Sequence, residues 1–598
     1  MVPPGFARPT IGPLERLIAS RATPSPISPC LVSDAFDYYR VAELSTIVAS
    51  GAVLRVKPEL SYPTRRKVDN HESSRTFAPQ IRAILAEEMA AGTTFLIGKT
   101  LPAEWLAPGS GLFVNPVGAV EKGSSTPDIP KVRIIVDASC GGEISINSRI
   151  AKSTLDEDDP HIQPYLSNQV IAATLLAAGP EGVFSLTDVK SAFNNVALDP
   201  SNYRFSVILF EGLYYCQTRL GFGYRSGPSS HAAPPSAISL PTSRSAPDIF
   251  EVVMQSVDHI ARSKHALRIL RIVDDVLNVD TPDVAAHNAD LLRALLAKYG
   301  LPVASEKNVN QQPSVKFNGL IWSAPSQTVT IPEPKVQDIR ACIALALAQH
   351  PPPLDAIESI TGKLQAVSCV VPDGKVHLQH LYRMMAASKL KSQPRGRAAK
   401  FIATRGTRTE LNWWSNRLLH VVPRRMSALA AELLPATDAI VAYTDASGLG
   451  LGVFVPGTGL WAFMKVPARF AVNPAVHVDS VIAVGSTLIE VAAVVLAIMT
   501  FQDLWADRLV VVNCDNSGAV GVFTRRHSAN ELTGAMLTFA VDLCTSRNIT
   551  LRLTWIPGTT NVVADPISRG NTAAFRAIAP SAAILPCPCT GSPFDAIS

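Results

Sequence analysis

Five aspartates close apolar runs in this chain, and two more carboxylates lie on nearby helical or loop signals. Phe184-Ser185-Leu186-Thr187 ends on Asp188, and the mostly apolar stretch Leu267–Val273 ends on the adjacent pair Asp274-Asp275. Two neighbouring aspartates in a buried hairpin repel each other, and a nearby cation offsets that cost. Divalent magnesium takes carboxylate and phosphate oxygens, and two such ions about 4 Å apart clamp an in-line phosphoryl displacement. The plain alternative is a solvated hairpin turn. A second set follows: Asp445 ends Val441–Thr444, Asp515 ends Val510–Cys514, Glu490 sits in the helical stretch from Ser486, and Asp565 lies in Asn561–Arg569. Four carboxylates from strand ends and helices of one domain can also converge on two metals. Glu490 has a rival reading, because Thr487-x-x-Glu490 is also a capping box.

The elements that must position these groups are legible as patterns. Short β-rich runs at Val132–Val136, Val183–Leu186, Arg204–Phe210 and Leu267–Val276 alternate with helical stretches such as Asp283–Lys298, an α/β or α+β pattern over about 96–330. A further helical stretch falls near Ile81–Met89. Pro351–Pro353 opens a helical region through Leu381 and Met385. A basic run follows: Lys389, Lys391, Arg395, Arg397, Lys400, Arg405 and Arg408 precede the next acid, Glu410. That run fits a nucleic-acid backbone or a solvated loop equally well. Strand patterns return at Ala439–Thr444, Leu451–Val455 and Leu509–Asn513, around a helix at Ser486–Phe501. Residues 1–30, with seven prolines, read as a flexible leader, and the Pro/Ala/Ser-rich last 28 residues as a tail.

The residues around these carboxylates resemble a family. Leu186-Thr187-Asp188-Val189-Lys190-Ser191-Ala192-Phe193 is similar to the first catalytic motif of reverse transcriptases, and Ile272-Val273-Asp274-Asp275 to their YxDD motif. Arg219-Leu220-Gly221-Phe222-Gly223 resembles the LPxG segment that touches incoming nucleotide and template. Val132–Asp137 resembles the fingers motif, and Lys316-Phe317-Asn318-Gly319 the FLG motif after the palm. The second set, with its TDAS, IE, CDN and N–AD–SR signatures, resembles the ribonuclease H domain of retroelements. Between them, Ile360–Leu364 and Glu410–Trp414 resemble the connection region of retrotransposons of the Ty3 type or with tyrosine recombinases (DIRS-like).

The resemblance implies an α+β multidomain fold: a right-hand polymerase of fingers, palm and thumb, then a helical connection and an α/β ribonuclease H-like domain. The expected division is a leader and unassigned region (1–95), fingers and palm (96–330), thumb and connection (331–435), ribonuclease H-like domain (436–572) and tail (573–598). Asp188, Asp274 and Asp275 would hold two magnesium ions in one site, and Asp445, Glu490, Asp515 and Asp565 two in the other, with manganese able to substitute. Phe193 would exclude a 2′-hydroxyl, or else be a core aromatic. Arg133, or on the plain reading a surface strand arginine, would contact phosphates with Lys122, and Phe222 and Gly223 would line the substrate path. The implied activity is RNA- and DNA-directed DNA synthesis with cleavage of the hybrid's RNA strand. The implied partners are RNA template, DNA primer, RNA–DNA hybrid and dNTPs.

Four departures stand out. Ile272 replaces tyrosine, Gly221 replaces proline, Pro566 follows Asp565, and no histidine occurs in Trp555–Thr560. In addition, the 19 residues 227–245 are rich in Ser, Pro and Ala and read as inserted, because Ser226 joined to Ala246 restores the uninterrupted segment of the family it resembles; an unspliced intron, a natural surface loop and a sign of decay all fit. The insert favours an alternative, a retroelement relic that binds nucleic acid without catalysis. Ribonuclease H alone is a third reading.

Composition is consistent with folded domains. Hydrophobic residues make up 47% and charged residues 17%, against about 25% charged in typical domains. The net charge of +5 permits an anionic partner without requiring one. Nine cysteines over 598 residues form neither a disulfide framework nor a zinc pattern. The most apolar run, Val491–Phe501, is shorter than the roughly 20 residues a bilayer requires, and no secretory signal is visible. The expectation is an intracellular protein with no membrane partner.

Overall fold

The computed structural model describes residues 11–54, 69–107, 110–121, 130–140, 145–149, 166–221, 246–349, 351–392, 401–431, 433, 435, 437–467, 470–472, 482–589 and 591–597. These fall into two compact units, one drawn from Met1–Leu166, Glu181–Ser229 and Ile238–Val315, the other from Ser167–Pro180, Ser230–Ala237 and Lys316–Ser598. Lys122, Phe222, Gly223, the 227–245 insert and residues 393–400 of the basic run lie outside the described residues.

Among the described residues, the first unit is built on two four-stranded sheets and a hairpin. In the sheet that carries Asp188, Val183–Asp188 lies between Val309–Gln312 and Asp275–Asp280, and Ile269–Ile272 forms the far edge. Every pairing in it is antiparallel. The apolar stretch from Leu267 is therefore two strands, broken where Val273-Asp274 turns the chain. Behind this sheet pack the helices Ala246–Ser263 and Ala285–Lys298, which bring Phe250, Val253, Leu292 and Leu296 into one core. The fingers-like motif forms an antiparallel hairpin of Val117–Glu121 with Val132–Val136.

The leader is a correction. From Pro13 onward it is packed rather than loose. Glu15 is fully buried, accepting from Trp105 Nε1 at 3.1 Å and from Arg204 Nε at 2.6 Å. Arg219 Nη2 donates to the carbonyls of Thr23 and Pro24 at 2.9 and 2.7 Å. Pro26 presses so closely on Gly300, at φ +74°, that a Cβ there would overlap its carbonyl oxygen. Prolines hide helical periodicity, but partners distant in sequence fix the segment.

In the second unit a five-stranded sheet runs in the order Leu460–Lys465, Gly450–Val455, Ile440–Ala446, Leu509–Cys514, Thr550–Trp555. Its last three strands are parallel. The helix Ser486–Trp505 packs across it. By length and composition this helix could cross a bilayer, yet 67% of its apolar window is buried inside the unit. A run of Val491 to Ile498 buried without a break is what a helix covered on all sides requires. The connection-like region supplies the helices Glu333–Ala348, Leu354–Val367, Gln379–Ser392 and Arg405–Arg417.

The C-terminus is a second correction. Residues expected to be a flexible tail form the helix Thr572–Ile578 and a 3₁₀ turn, Pro593–Ile597. Phe575 and Phe594 are both fully buried, the latter stacked on Phe470 with centroids 4.7 Å apart. Two aromatic anchors hold the low-complexity chain, and composition does not reveal them. Truncating a fully buried phenylalanine costs about 3–5 kcal/mol. Phe594→Ala should accordingly lower the unfolding free energy of the second unit, read from urea titration, by an amount in that range. A change under about 0.5 kcal/mol would mean that the segment is a true tail.

Candidate active sites

The first site is set by strand register. Asp188, last residue of Val183–Asp188, pairs directly with Asp275, first residue of Asp275–Asp280. Asp275 also pairs with Ile272 across the hairpin, leaving Val273-Asp274 as a two-residue turn. Val273 takes φ +55°, a costly conformation for a β-branched residue, of order 1–3 kcal/mol. Two contacts hold it there. The Asp274 carbonyl accepts from Val189 N–H at 3.0 Å, which ties the turn to the segment after Asp188. The Val273 carbonyl accepts from Arg271 Nη1 at 3.1 Å. Arg271 is itself buried between Glu251 (2.6 Å) and Asp258 (2.7 Å), seven residues apart on one face of Ala246–Ser263.

Three carboxylates thus share one partly buried place. Burial, with Asp274 and Asp188 alongside, pushes Asp275 up to about 6. Burial also raises Asp274, with Asp188 adding to it, while Lys307 and Arg133 pull it back. Lys307 Nζ grips both oxygens of Asp188 at 3.0 and 2.9 Å. It sits in the turn Ser305–Lys307, tied to the strand end because Ala304 N–H donates to the Asp188 carbonyl at 2.9 Å. Sequence reasoning missed Lys307, although Ser305-Glu306-Lys307 directly precedes the strand beside Asp188. Arg133 is exposed on its hairpin, within electrostatic reach of Asp274. Phe193, in the 3₁₀ turn Ala192–Asn195, is buried with its ring edge-on to Phe250 at 5.7 Å.

The second site forms at the C-terminal ends of parallel strands. Asp445 lies opposite Gly452, and a Cβ at Gly452 would come within 2.6–2.7 Å of the Ser568 nitrogen and the Ala564 carbonyl. The missing side chain lets Ala564–Ser568 lie against the sheet, where Ser568 Oγ donates to Asp445 Oδ2. Asn561 Nδ2 anchors the same loop on the Thr444 carbonyl at 2.9 Å. Asp565 faces outward and pairs with Arg569 at 2.8 Å. Asp515 follows the adjacent strand, and Trp555 Nε1 donates to its carbonyl at 3.0 Å.

Glu490 reaches this cluster from the second turn of Ser486–Trp505. That helix is capped by Gly485 without a side-chain bond, so Thr487 lies inside it and the capping-box reading fails. Ligand atoms of Glu490, Cys514 and Asp515 lie within 4.8 Å of one another. Burial and the neighbouring Asp445 and Asp515 push Glu490 up to about 9, and burial pushes Asp445 up to about 6. Burial and Glu490 also raise the Cys514 thiol to about 12. It stays protonated at neutral pH and serves as a weak donor to Glu490, 3.9 Å away. The oxygen donors fit a hard divalent cation, which prefers carboxylates to a thiol. The loop Trp555–Thr560, which holds no histidine, passes close to Asp515. A Cβ on Gly558 would sit 3.2 Å from Asp515 Oδ2.

No family model and no curated protein matches this chain. Among solved structures it is similar to a foamy viral protease-reverse transcriptase in complex with double-stranded DNA (TM-score 0.45, 13% identity, 93% of this chain and 84% of that one). It is also similar to the same kind of protein in complex with RNA/DNA hybrid (0.45, 13%, 92% and 64%), and to a further double-stranded DNA complex (0.42, 12%, 92% and 98%). At TM-scores below 0.5, what the two sites can do rests on their own side chains.

The buried Glu490 has a measurable consequence. Its folded-state pKa, near 9, lies above the unfolded value near 4.5, so its favourable contribution is complete below pH 4.5 and fades as pH rises toward 9. In metal-free buffer, Glu490→Gln should gain about 2–3 kcal/mol on the parent between pH 4.5 and 7, followed by urea unfolding at each pH. Parallel stability curves would show that Glu490 does not carry this burial cost.

Proposed function

We propose that the chain is the reverse transcriptase and ribonuclease H of a retrotransposon, copying RNA and then DNA templates into DNA and cleaving the RNA of the hybrid. One observation supports this most: register sets Asp188 beside the Asp274-Asp275 turn, three carboxylates gathered at one strand end with a lysine neutralising the first. That is the donor set a pair of magnesium ions would need, and when bound they would activate the primer's hydroxyl and neutralise the leaving phosphates. Asp445, Glu490, Asp515 and Asp565 would hold the second pair, with a water as nucleophile. Arg133 would bind the triphosphate and Phe193 would lie under the sugar. In this reading residues 96–330 are fingers and palm, 331–435 thumb and connection, and 436–572 the ribonuclease H domain. A primer, a template, a hybrid and dNTPs are its substrates.

Two experiments test it. With purified full-length protein and magnesium, Asp274→Asn should reduce primer extension on RNA at least a thousandfold and leave hybrid cleavage within about threefold. Asp445→Asn and Asp515→Asn should do the reverse. Loss of both activities in a variant with an unchanged circular dichroism spectrum would sink the two-site model. The relic reading predicts no extension by the parent itself.

Phe193→Val should raise ribonucleotide incorporation at least tenfold relative to dNTP use, because the ring's bulk is what meets a 2′-hydroxyl. If discrimination is unchanged while stability falls by about 1–3 kcal/mol, Phe193 is a core aromatic packed on Phe250 and nothing more.

A further inference from the structure

The second unit contains a cavity of about 770 Å³ that neither carboxylate cluster lines. Three stretches distant in sequence enclose it: 167–169, 365–431 and 507–552. Among the described lining residues the cations are Lys375, Arg417, Arg424, Arg425, Arg526 and Arg552, and the acids are Asp373 and Asp507. The excess of four positive charges nearly equals the +5 of the whole 598-residue chain. So dense a field of one sign in a concave, partly desolvated place repels itself and attracts an anion.

Both acids already have partners, and Asp373 also pairs with Arg417 at 4.0 Å. The Thr545 hydroxyl donates to Asp373, and Asn548 Nδ2 donates to Asp507 at 2.8 Å. Arg424 is oriented by its own bond, Nη1 to the Cys369 carbonyl at 2.7 Å. Arg526 closes the helix Ser517–Arg525 in a left-handed conformation, φ +55°, that non-glycine residues avoid.

Position separates this cavity from the second carboxylate site. Thr550 and Arg552 open the strand Thr550–Trp555, whose other end, Trp555, lies opposite Cys514 and next to Asp515. Along the strand, Thr550 is about 16 Å and Arg552 about 10 Å from Trp555. Size and chemistry then narrow the ligand. A volume of this order suits a small molecule, within the usual range of about 300–1,000 Å³. Guanidinium groups recognise phosphate oxygens through paired N–H donors. Among the described residues that line it there is no Phe, Tyr or Trp, the usual stacking platform for bases.

We propose that this cavity binds a compact, multiply phosphorylated small anion, read through its phosphates and not through a base. By bridging the connection-like helices and the edge of the sheet, the anion would stabilise the folded second unit by mass action. The proposal stands apart from the catalytic reading, and its test uses neither nucleic acid nor divalent metal.

The test is calorimetry and thermal unfolding of the full chain in EDTA at low salt, with tripolyphosphate, inositol hexakisphosphate and ATP as probes. Saturable binding is expected, with a higher melting temperature and an affinity that falls as salt rises. ATP and tripolyphosphate should agree within about threefold. Arg425→Gln combined with Arg526→Gln should weaken all three at least tenfold while the ligand-free melting temperature holds or rises, because like charges have been removed. Arg425→Gln alone, at an exposed position, should show a smaller loss and covers the case in which the double variant fails to fold. Absence of saturable binding, equal binding by the variants, or ATP preferred tenfold over tripolyphosphate would each overturn the proposal. Displacement of tripolyphosphate by a single-stranded oligonucleotide of higher affinity would overturn it too, and would make the cavity part of a strand path.

Discussion

Like charges held close together in a partly buried place are the constraint around which this protein is organised. Two unit charges 4 Å apart at an effective dielectric near 20 interact by about 4 kcal/mol, a large fraction of the 5–15 kcal/mol that holds a domain folded. Nothing in the local chain favours bringing Asp188, Asp274 and Asp275 to one spot. The register of four antiparallel strands does so, and the core behind the sheet stabilises that register. The Val273 turn shows how tightly the position is specified. Its unfavourable backbone persists because Arg271, pinned by Glu251 and Asp258, holds one carbonyl while Val189 holds the other. A buried arginine with two acidic partners is weak evidence for stability, since desolvation offsets much of the attraction. Here it orients: it fixes where the turn points.

The second cluster reaches the same end by a different construction. Its acids come from two parallel strands, a buried helix and a short helix laid on the sheet. The approach depends on a residue with no side chain, Gly452. Any side chain there would push Ala564–Ser568 outward and take Ser568 away from Asp445. Cys514 deepens the burial of Glu490 without competing as a ligand, because its thiol keeps its proton.

How much of this the sequence discloses depends on the range of the interaction. Apolar runs ending on aspartates are local signals, so Val132–Val136 and the strands ending near Asp188, Asp445 and Asp515 are legible to within a residue or two. Arg204–Phe210 reads as one strand, but Pro200–Phe205 is a 3₁₀ turn, since a proline at its start presets that geometry. The Ser486 helix runs on to Trp505 because buried Phe501 and Trp505 continue its packing past the apolar run. What stays hidden is long-range. Glu15 meets Arg204 across nearly 190 residues, Phe594 meets Phe470, and Lys307 reaches back to Asp188. No window of composition reports such pairs, which is why a packed leader and a packed C-terminus both read as loose chain.

The two carboxylate clusters also relieve their repulsion by different means. At the first, a lysine on the facing turn neutralises Asp188 while the side chain of that lysine stays largely exposed. A half-exposed ion pair is screened by salt, so this relief weakens with ionic strength and changes little with pH near neutrality. At the second, the raised pKa of Glu490 comes from burial and from Asp445 and Asp515, eased by the Ala446 N–H and the Cys514 thiol. There the relief is a proton, which salt does not screen and which pH removes. Both metal-free clusters therefore answer to pH, through Asp275 raised to about 6 at the first and Glu490 raised to about 9 at the second, and the first answers to ionic strength through Lys307 as well. The difference follows from Lys307, which faces Asp188 on a partly exposed turn, whereas the burial of Glu490 is offset chiefly by its proton.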